Sequence, residues 1–133
     1  MTNKLRTIQQ AATETGLSPD TLRYYERIGL ITNVRRAANG HRRYTDADMI
    51  WIGFLKQLRA TGMPIQQMRQ FADLRRGGAA TLPERVTMLQ AHRAELERQV
   101  DTIQAFMVVI DAKIDRHLHT LSTPLEEDTH DRQ

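Results

Sequence analysis

The 133-residue chain contains no cysteine, which excludes disulfides, thiolate metal sites and thiol-based redox sensing. Aromatic residues make up only 5% of it, so a core has to be mainly aliphatic. No apolar run approaches the roughly 18–20 residues needed to span a bilayer. The start, Met1-Thr2-Asn3-Lys4-Leu5-Arg6, lacks the apolar stretch of a secretory signal. Together these absences predict a cytoplasmic protein without a membrane partner. There is also no Gly-rich phosphate loop and no acid–base pair at meaningful spacing, so neither catalysis nor a cofactor is expected.

What the chain does have is apolar content of 40% and charged content of 26%, enough to fold rather than stay disordered. Its formal net charge of +3 hides an asymmetry. Residues 1–76 hold thirteen Lys and Arg against six Asp and Glu, whereas residues 77–133 hold six against ten. A basic first part suits a polyanion and an acidic second part does not. Two tasks on one chain are the natural reading.

Ser18-Pro19-Asp20-Thr21-Leu22-Arg23-Tyr24-Tyr25-Glu26-Arg27-Ile28-Gly29 is the most informative stretch. Ser18 is a good N-cap, Pro19 suits the first helical position, and Gly29 can take φ > 0 past the last turn. Leu22, Tyr25 and Ile28 recur at helical spacing and should face inward, leaving Thr21, Arg23, Tyr24 and Arg27 elsewhere. Such a helix suits insertion into a DNA major groove, the plain alternative being a solvated basic surface helix. Upstream, Thr7-Ile8-Gln9-Gln10 has the spacing of a capping box. Ile8, Ala11, Ala12 and Thr15 mark one face of a first short helix, Gly16 ends it, and Leu17 plugs the connection. Helix, Gly-containing turn, helix is the helix-turn-helix arrangement.

Leu30-Ile31-Thr32-Asn33-Val34 is a short apolar run of β character. Asn39-Gly40 is a turn signal because both residues tolerate φ > 0. A β-hairpin wing is predicted, with Arg35 and Arg36 on one arm and His41, Arg42, Arg43 and Tyr44 on the other. Four arginines in nine residues repel one another unless something anionic lies against them, and a phosphate backbone supplies that.

Thr45 should cap a third helix, with Asp46 and Asp48 in its first turn. Trp51, Ile52, Leu55 and Leu58 form its buried stripe, and Gly62 ends it. Pro64 should start a fourth helix bearing Ile65, Met68, Phe71 and Ala72, with Met49, Met63 and Met68 as gap-fillers. Gly77-Gly78-Ala79-Ala80 reads as a flexible break, and Thr81-Leu82-Pro83-Glu84 as a second capping box. From there positions alternate by three and four: Val86, Leu89, Arg93, Leu96, Val100, Ile103, Met107, Ile110, Ile114, His117, Leu121. All but Arg93 and His117 are apolar. A helix from Leu82 to Leu121 is about 60 Å long, more than a domain of this size covers, so the stripe calls for a partner chain. An antiparallel pair with its two-fold axis near Ala105 sets position n against 210 − n. Arg93 then meets the partner's His117 and every apolar position meets an apolar one, whereas an unstaggered parallel pair stacks Arg93 on Arg93. Pro124 should stop the helix and residues 126–133 read as a polar, disordered tail.

The expected fold is therefore mainly α. A winged helix-turn-helix DNA-binding lobe with linker helices occupies residues 1–76, a coiled-coil dimerisation helix residues 77–123, and the polar tail residues 124–133. The candidate DNA-binding residues are Ser18, Thr21, Arg23, Tyr24, Tyr25, Arg27, Arg35, Arg36, Asn39, Gly40, His41, Arg42, Arg43 and Tyr44. The candidate dimerisation residues are Val86, Leu89, Leu96, Val100, Ile103, Met107, Ile110, Ile114 and Leu121. Asp115, His117 and His119 carry metal-ligating groups, but the two histidines, two apart, lie on different helix faces. No metal site is expected.

This pattern resembles the MerR family of bacterial transcription regulators. The matching features are Thr21-Leu22-Arg23-Tyr24-Tyr25-Glu26, Gly29-Leu30, the wing Asn39-Gly40-His41-Arg42-Arg43-Tyr44, Thr61-Gly62-Met63-Pro64-Ile65 and the long terminal coil. The resemblance implies an antiparallel coiled-coil homodimer on a near-palindromic promoter spacer, bending and untwisting double-stranded DNA so that RNA polymerase can use it. It also implies that Arg23, Tyr24 and Arg27 lie in or beside the major groove, with Tyr25 at the helix edge and Arg42 clamping the flanking backbone. His41 departs from the aromatic often found at that wing position. The fourth helix and coil look most like the thiol- and aldehyde-responsive branch, in which a cysteine occupies the position of Gln57. Without cysteine, that chemistry and metal–thiolate sensing are both absent. A small-molecule effector would have to sit between the coil and a DNA-binding lobe. Two other readings use the same lobe: a protein-binding adaptor of the chaperone-modulator kind, and an architectural DNA-bending factor.

Overall fold

The structure, a computed structural model, describes residues 4–32 and 34–123. Residues 1–3, Asn33 and residues 124–133, and with them the expected helix stop at Pro124 and the expected disordered tail, lie outside the described residues.

The first two helices form where the capping residues direct. Helix α1 (Ile8–Thr15) opens on Thr7, whose hydroxyl accepts from the Gln10 amide while the Gln10 side chain accepts from the Thr7 amide. It closes on Gly16 at φ 79°, and Lys56 Nζ donates to the Thr15 carbonyl at 2.7 Å, a cation on the negative end of the helix. A Cβ on Gly16 would come within 2.7 Å of that Nζ, the movable end of a lysine, so it is the left-handed backbone that calls for glycine here. Helix α2 (Pro19–Arg27) has Ser18 as its N-cap and buries Leu22 and Tyr25.

The Leu30–Val34 run corrects the sequence reading. Leu30 and Ile31 are not strand; both are buried, and their amides bond back to the Tyr25 carbonyl at 2.9 and 3.3 Å. Their apolarity serves the core rather than a ladder. The wing is shorter than expected, β1 (Arg35–Arg36) pairing antiparallel with β2 (Arg42–Arg43). Its tip is closed by Ala37 N–H to the His41 carbonyl at 2.8 Å, by the Asn39 side chain accepting from the His41 amide, and by Gly40 at φ 84°. This is a three-residue loop with glycine in the left-handed position.

Helix α3 (Asp46–Ala60) has a full capping box between Thr45 and Asp48, and α4 (Ile65–Arg76) follows Pro64. Their buried residues are those of the two predicted stripes, Trp51, Ile52, Leu55 and Leu58 with Met68, Phe71 and Ala72. Trp51 is core, its ring stacked on Phe71 with centroids 6.1 Å apart, and Nε1–H donates to the Leu30 carbonyl at 2.7 Å. That bond ties the chain after α2 to α3. Two further readings are corrected here. Gly78–Thr81 is a turn of 3₁₀ helix rather than a flexible break. Thr81 does not close a capping box with Glu84; its hydroxyl donates back to the Leu74 carbonyl at 2.5 Å, serving the end of α4.

Helix α5 (Leu82–Ser122) runs through 41 residues without a break. The chain divides into two units, one reaching His92 and one starting at Arg93, so the division falls within this helix. In the first unit, Met88 packs on the core and His92 Nε2 lies 2.9 Å from Thr61 Oγ1. In the second unit no described residue is buried. No helix among the described residues is long and apolar enough to cross a membrane.

Candidate nucleic-acid interface

The wing is anchored at the base of its return arm. Arg6 and Tyr44 exchange two backbone hydrogen bonds of 2.9 and 2.8 Å, which draws the wing against the residue preceding the α1 cap. The Arg6 guanidinium is held internally by the Lys4 carbonyl, Glu14 and Asp46. Contact with Asp46 chiefly, opposed by desolvation, raises its pKa further. Arg6 is thus a structural cation.

On α2, Arg23, Tyr24 and Arg27 are exposed. Arg23 bonds Asp20 at 3.0 Å, and the Arg27 guanidinium lies 5.2 Å from the centre of the Tyr24 ring. Thr21 is half-buried, and its amide and hydroxyl both bond the Ser18 hydroxyl, so these two residues are occupied in shaping the start of the helix. On the wing, Arg35, Arg36, Asn39, Gly40 and His41 are exposed, and Arg42 and Arg43 half-buried.

Two candidates are corrected by burial. Tyr25 is 6% exposed and Tyr44 0%, so neither phenol offers a surface to a ligand. Each belongs to the hydrophobic core, and desolvation raises both phenol pKa values above the ordinary 10. For Tyr44, nearby Arg42 opposes part of that rise. The Tyr44 hydroxyl has no hydrogen-bond partner among the described residues.

The reading that the wing arginines lacked an internal counterion is also corrected. Glu26 on α2 accepts from Arg42 Nε through one carboxylate oxygen and from Arg36 Nη2 at 3.5 Å through the other. Sequence reasoning gave Glu26 no role in the wing. The available signal was that it is the one carboxylate among six arginines in residues 21–45.

These elements converge on a cleft of about 350 Å³. Its walls are Thr7, Ile8 and Gln9 at the start of α1, Arg23 of α2, and Arg36, Gly40, His41, Arg42 and Arg43 of the wing. The surface is cationic, partly neutralised by Glu26 and Asp20, and suited to an anion.

The predicted dimerisation residues lie on α5 and are exposed or half-buried: Val86, Leu89, Leu96, Val100, Ile103, Met107, Ile110, Ile114 and Leu121. Phe106, Val108, Val109 and Leu118, outside the predicted stripe, are exposed at 56–67%. Leu118 joins Ile110, Ile114 and His117 around one shallow hollow, because an α-helix drifts from a strict 3.5-residue repeat. Arg93 is paired with Glu97 at 2.8 Å, and His117 Nδ1 donates to the Lys113 carbonyl at 2.7 Å. Among the described residues no cluster of three His, Asp or Glu is arranged to hold a metal.

Comparison with known proteins matches residues 6–74 to the MerR HTH family regulatory protein profile and residues 51–113 to the MerR DNA-binding profile. An uncharacterised HTH-type transcriptional regulator of Haemophilus influenzae is 32% identical over 108 residues, 81% of this chain and 80% of that one. A crystal structure of a MerR family transcriptional regulator from Listeria monocytogenes superposes with a TM-score of 0.79 at 38% identity, covering 84% of this chain and 85% of that one. HiNmlR, a MerR family regulator lacking the sensor domain and crystallised bound to promoter DNA, superposes with a TM-score of 0.83 at 28% identity, covering 90% and 94%.

Proposed function

Since the chain belongs to the MerR HTH family of regulatory proteins, we propose that it is a DNA-binding transcriptional regulator that works in the cytoplasm as a homodimer. It grips a near-palindromic promoter spacer and bends and untwists it for RNA polymerase. The observation that carries this is the convergence of α2 and the wing on one cationic cleft, with Arg23, Arg36, Arg42 and Arg43 in its walls. In this reading Arg23, Tyr24 and Arg27 read the major groove, and the wing arginines hold the flanking backbone. The promoter-DNA complex of HiNmlR supports the assignment by likeness.

Dimerisation runs through α5. An isolated helix with this many exposed Val, Ile, Leu and Met side chains is not stable in water, and pairing with a second copy covers them. The antiparallel register about Ala105 brings Arg93, already paired with Glu97, to the partner copy across from His117, whose Nε2 is left to accept. Spin labels at Ala105 test the register. Two labels near helix-packing distance, about 8–10 Å between axes before the label arms are added, fit it; a much larger separation rules it out. A gel shift with the gene's own upstream region tests the function. A shift that titrates away with salt fits DNA binding, and no shift leaves the protein-adaptor reading. Transcription in vitro with purified polymerase separates a regulator from an architectural factor.

A further inference from the structure

We infer that Arg76, in the last turn of α4, is a positioning residue for DNA reading. It fixes the exit of α2, and so the pitch at which that helix presents Arg23, Tyr24 and Arg27. Resting on the DNA-binding reading, this role adds to it a residue that lies outside the cleft, α2 and the wing.

The turn after α2 moves with the helix. The Ile28 amide bonds the Tyr24 carbonyl, the Gly29 amide bonds that of Glu26, and the Leu30 and Ile31 amides both return to Tyr25. A force on residues 29 and 30 is therefore a force on α2 itself. Two side chains from other helices take consecutive carbonyls at this turn. Arg76 Nη1 donates to the Gly29 carbonyl at 3.0 Å, and Trp51 Nε1 donates to the Leu30 carbonyl at 2.7 Å. Asp73, three residues back on α4, accepts from Arg76 Nη2 and fixes the direction of the guanidinium. Arg75 lies over the Trp51 indole, 4.0 Å from its centre, so successive arginines of α4 serve both props.

The end of α4 is held in its turn. The Thr81 hydroxyl donates to the Leu74 carbonyl, and Arg85 of α5 donates to the Gly78 carbonyl. The brace thus joins the exit of α2 to the place where α5 begins. The Arg76 guanidinium also sets positive charge against the C-terminal end of α2, the end that favours it. Ser18 caps the other end of that nine-residue helix, and Leu22 and Tyr25 bury its inner face. The bond from Arg76 governs what these leave free, the tilt of the exit. Base readout needs side chains placed within about 0.5 Å, so a tilt is felt as lost discrimination. Arg76 does not line the cationic cleft, and its effect is one of geometry.

The two props differ in what their removal disturbs. Trp51 is a core residue, so its loss alters packing and reading together, whereas the Arg76 side chain is 41% exposed. Arg76→Met keeps the stem and removes the donors and the charge, and it should fold with a thermal midpoint near the native one. Affinity for the natural upstream duplex is expected to fall about tenfold, the worth of one misplaced base contact. Affinity for random duplex should hold, and so should the slope of log K against log salt, because no phosphate contact is lost. In ¹⁵N spectra of the free variant, the amides of Arg23, Tyr24 and Arg27 should shift along with those of Gly29 and Leu30. If both duplexes weaken alike and the slope drops by about one, Arg76 touches phosphate; the inference is then overturned and the DNA-binding reading stands. Native discrimination in the variant, or unmoved amides at Arg23, Tyr24 and Arg27, overturns it equally. If the native protein ignores every duplex at low salt, the DNA-binding reading falls and the inference with it.

Discussion

Glu26, on the helix expected to enter the major groove, is bonded to Arg42, on the returning arm of the wing. Both side chains are about one-fifth exposed, and the same carboxylate reaches Arg36 on the other arm. One acid therefore fixes the spacing between the two elements proposed to touch DNA. A partly buried pair of this kind contributes about 1 kcal/mol at most to stability, so its larger consequence is for geometry. Glu26→Gln should leave a folded protein with only slightly lower stability. Without the carboxylate the wing carries more free positive charge and less fixed orientation. Binding to random duplex should strengthen, discrimination for the natural site should shrink, and the salt slope should steepen. Fluorescence anisotropy on both duplexes across a salt series measures all three.

Arg35 and Arg42 provide a second contrast. Arg35 is exposed and makes no ion pair or side-chain hydrogen bond among the described residues, whereas Arg42 is tied to Glu26. Arg35→Ala should lower the salt slope by about one with no change in unfolding. Arg42→Ala should weaken binding to every sequence, flatten the slope and also reduce stability, because it leaves Glu26 with one partner. Urea unfolding beside salt-dependent binding separates the two outcomes.

Tyr44→Phe tests the reassignment of that residue to the core. A buried hydroxyl with no partner carries an uncompensated desolvation cost of about 1–3 kcal/mol, so its removal should be neutral or stabilising, with DNA affinity unchanged. The phenol pKa is raised by burial, so the native state holds this proton more tightly than the unfolded chain does. That contribution to stability is fully present below the ordinary value of 10 and is lost as pH rises toward the folded pKa. Native stability should decline on the alkaline side of pH 10, and less steeply in Tyr44→Phe, the remainder coming from Tyr25, whose pKa is also raised. Denaturant unfolding at pH 8 and above pH 10 gives both slopes.

Trp51→Phe removes the indole N–H that donates to the Leu30 carbonyl at 2.7 Å, and it weakens the stack under Arg75, whose guanidinium lies 4.0 Å from the indole centre. An orphaned buried carbonyl costs about 1–3 kcal/mol. Unfolding should report a loss of that order. Because the bond holds the chain after α2, DNA affinity should fall as well.

Much of this was legible in the sequence, because the signals are local. Thr7, Ser18, Thr45, Gly16 and Gly40 act on their own neighbours within a turn, and the structure uses them as capping and turn chemistry predict. The stripes of α3 and α4 were equally readable from periodicity. What failed was non-local. Leu30 and Ile31 have β-forming character, but burial beside Tyr25 outweighed propensity. Thr81 found a carbonyl of the preceding helix in place of its expected capping partner. The Glu26 pairing needed the wing to fold back on α2, which no spacing rule encodes; helical spacing had already turned Tyr25 inward, whereas the core place of Tyr44 lay at the end of an arginine-rich arm with no periodicity to mark it. On α5, the stripe was visible, whereas Phe106, Val108 and Val109 lie off it.

The central claim is that two copies of this chain grip one duplex. Native mass spectrometry of the purified protein mixed with its upstream duplex at low salt measures this directly. The account predicts a complex of two chains per duplex, formed from a free dimer. A complex with a single chain per duplex, or a free monomer with no duplex-bound species, would contradict it.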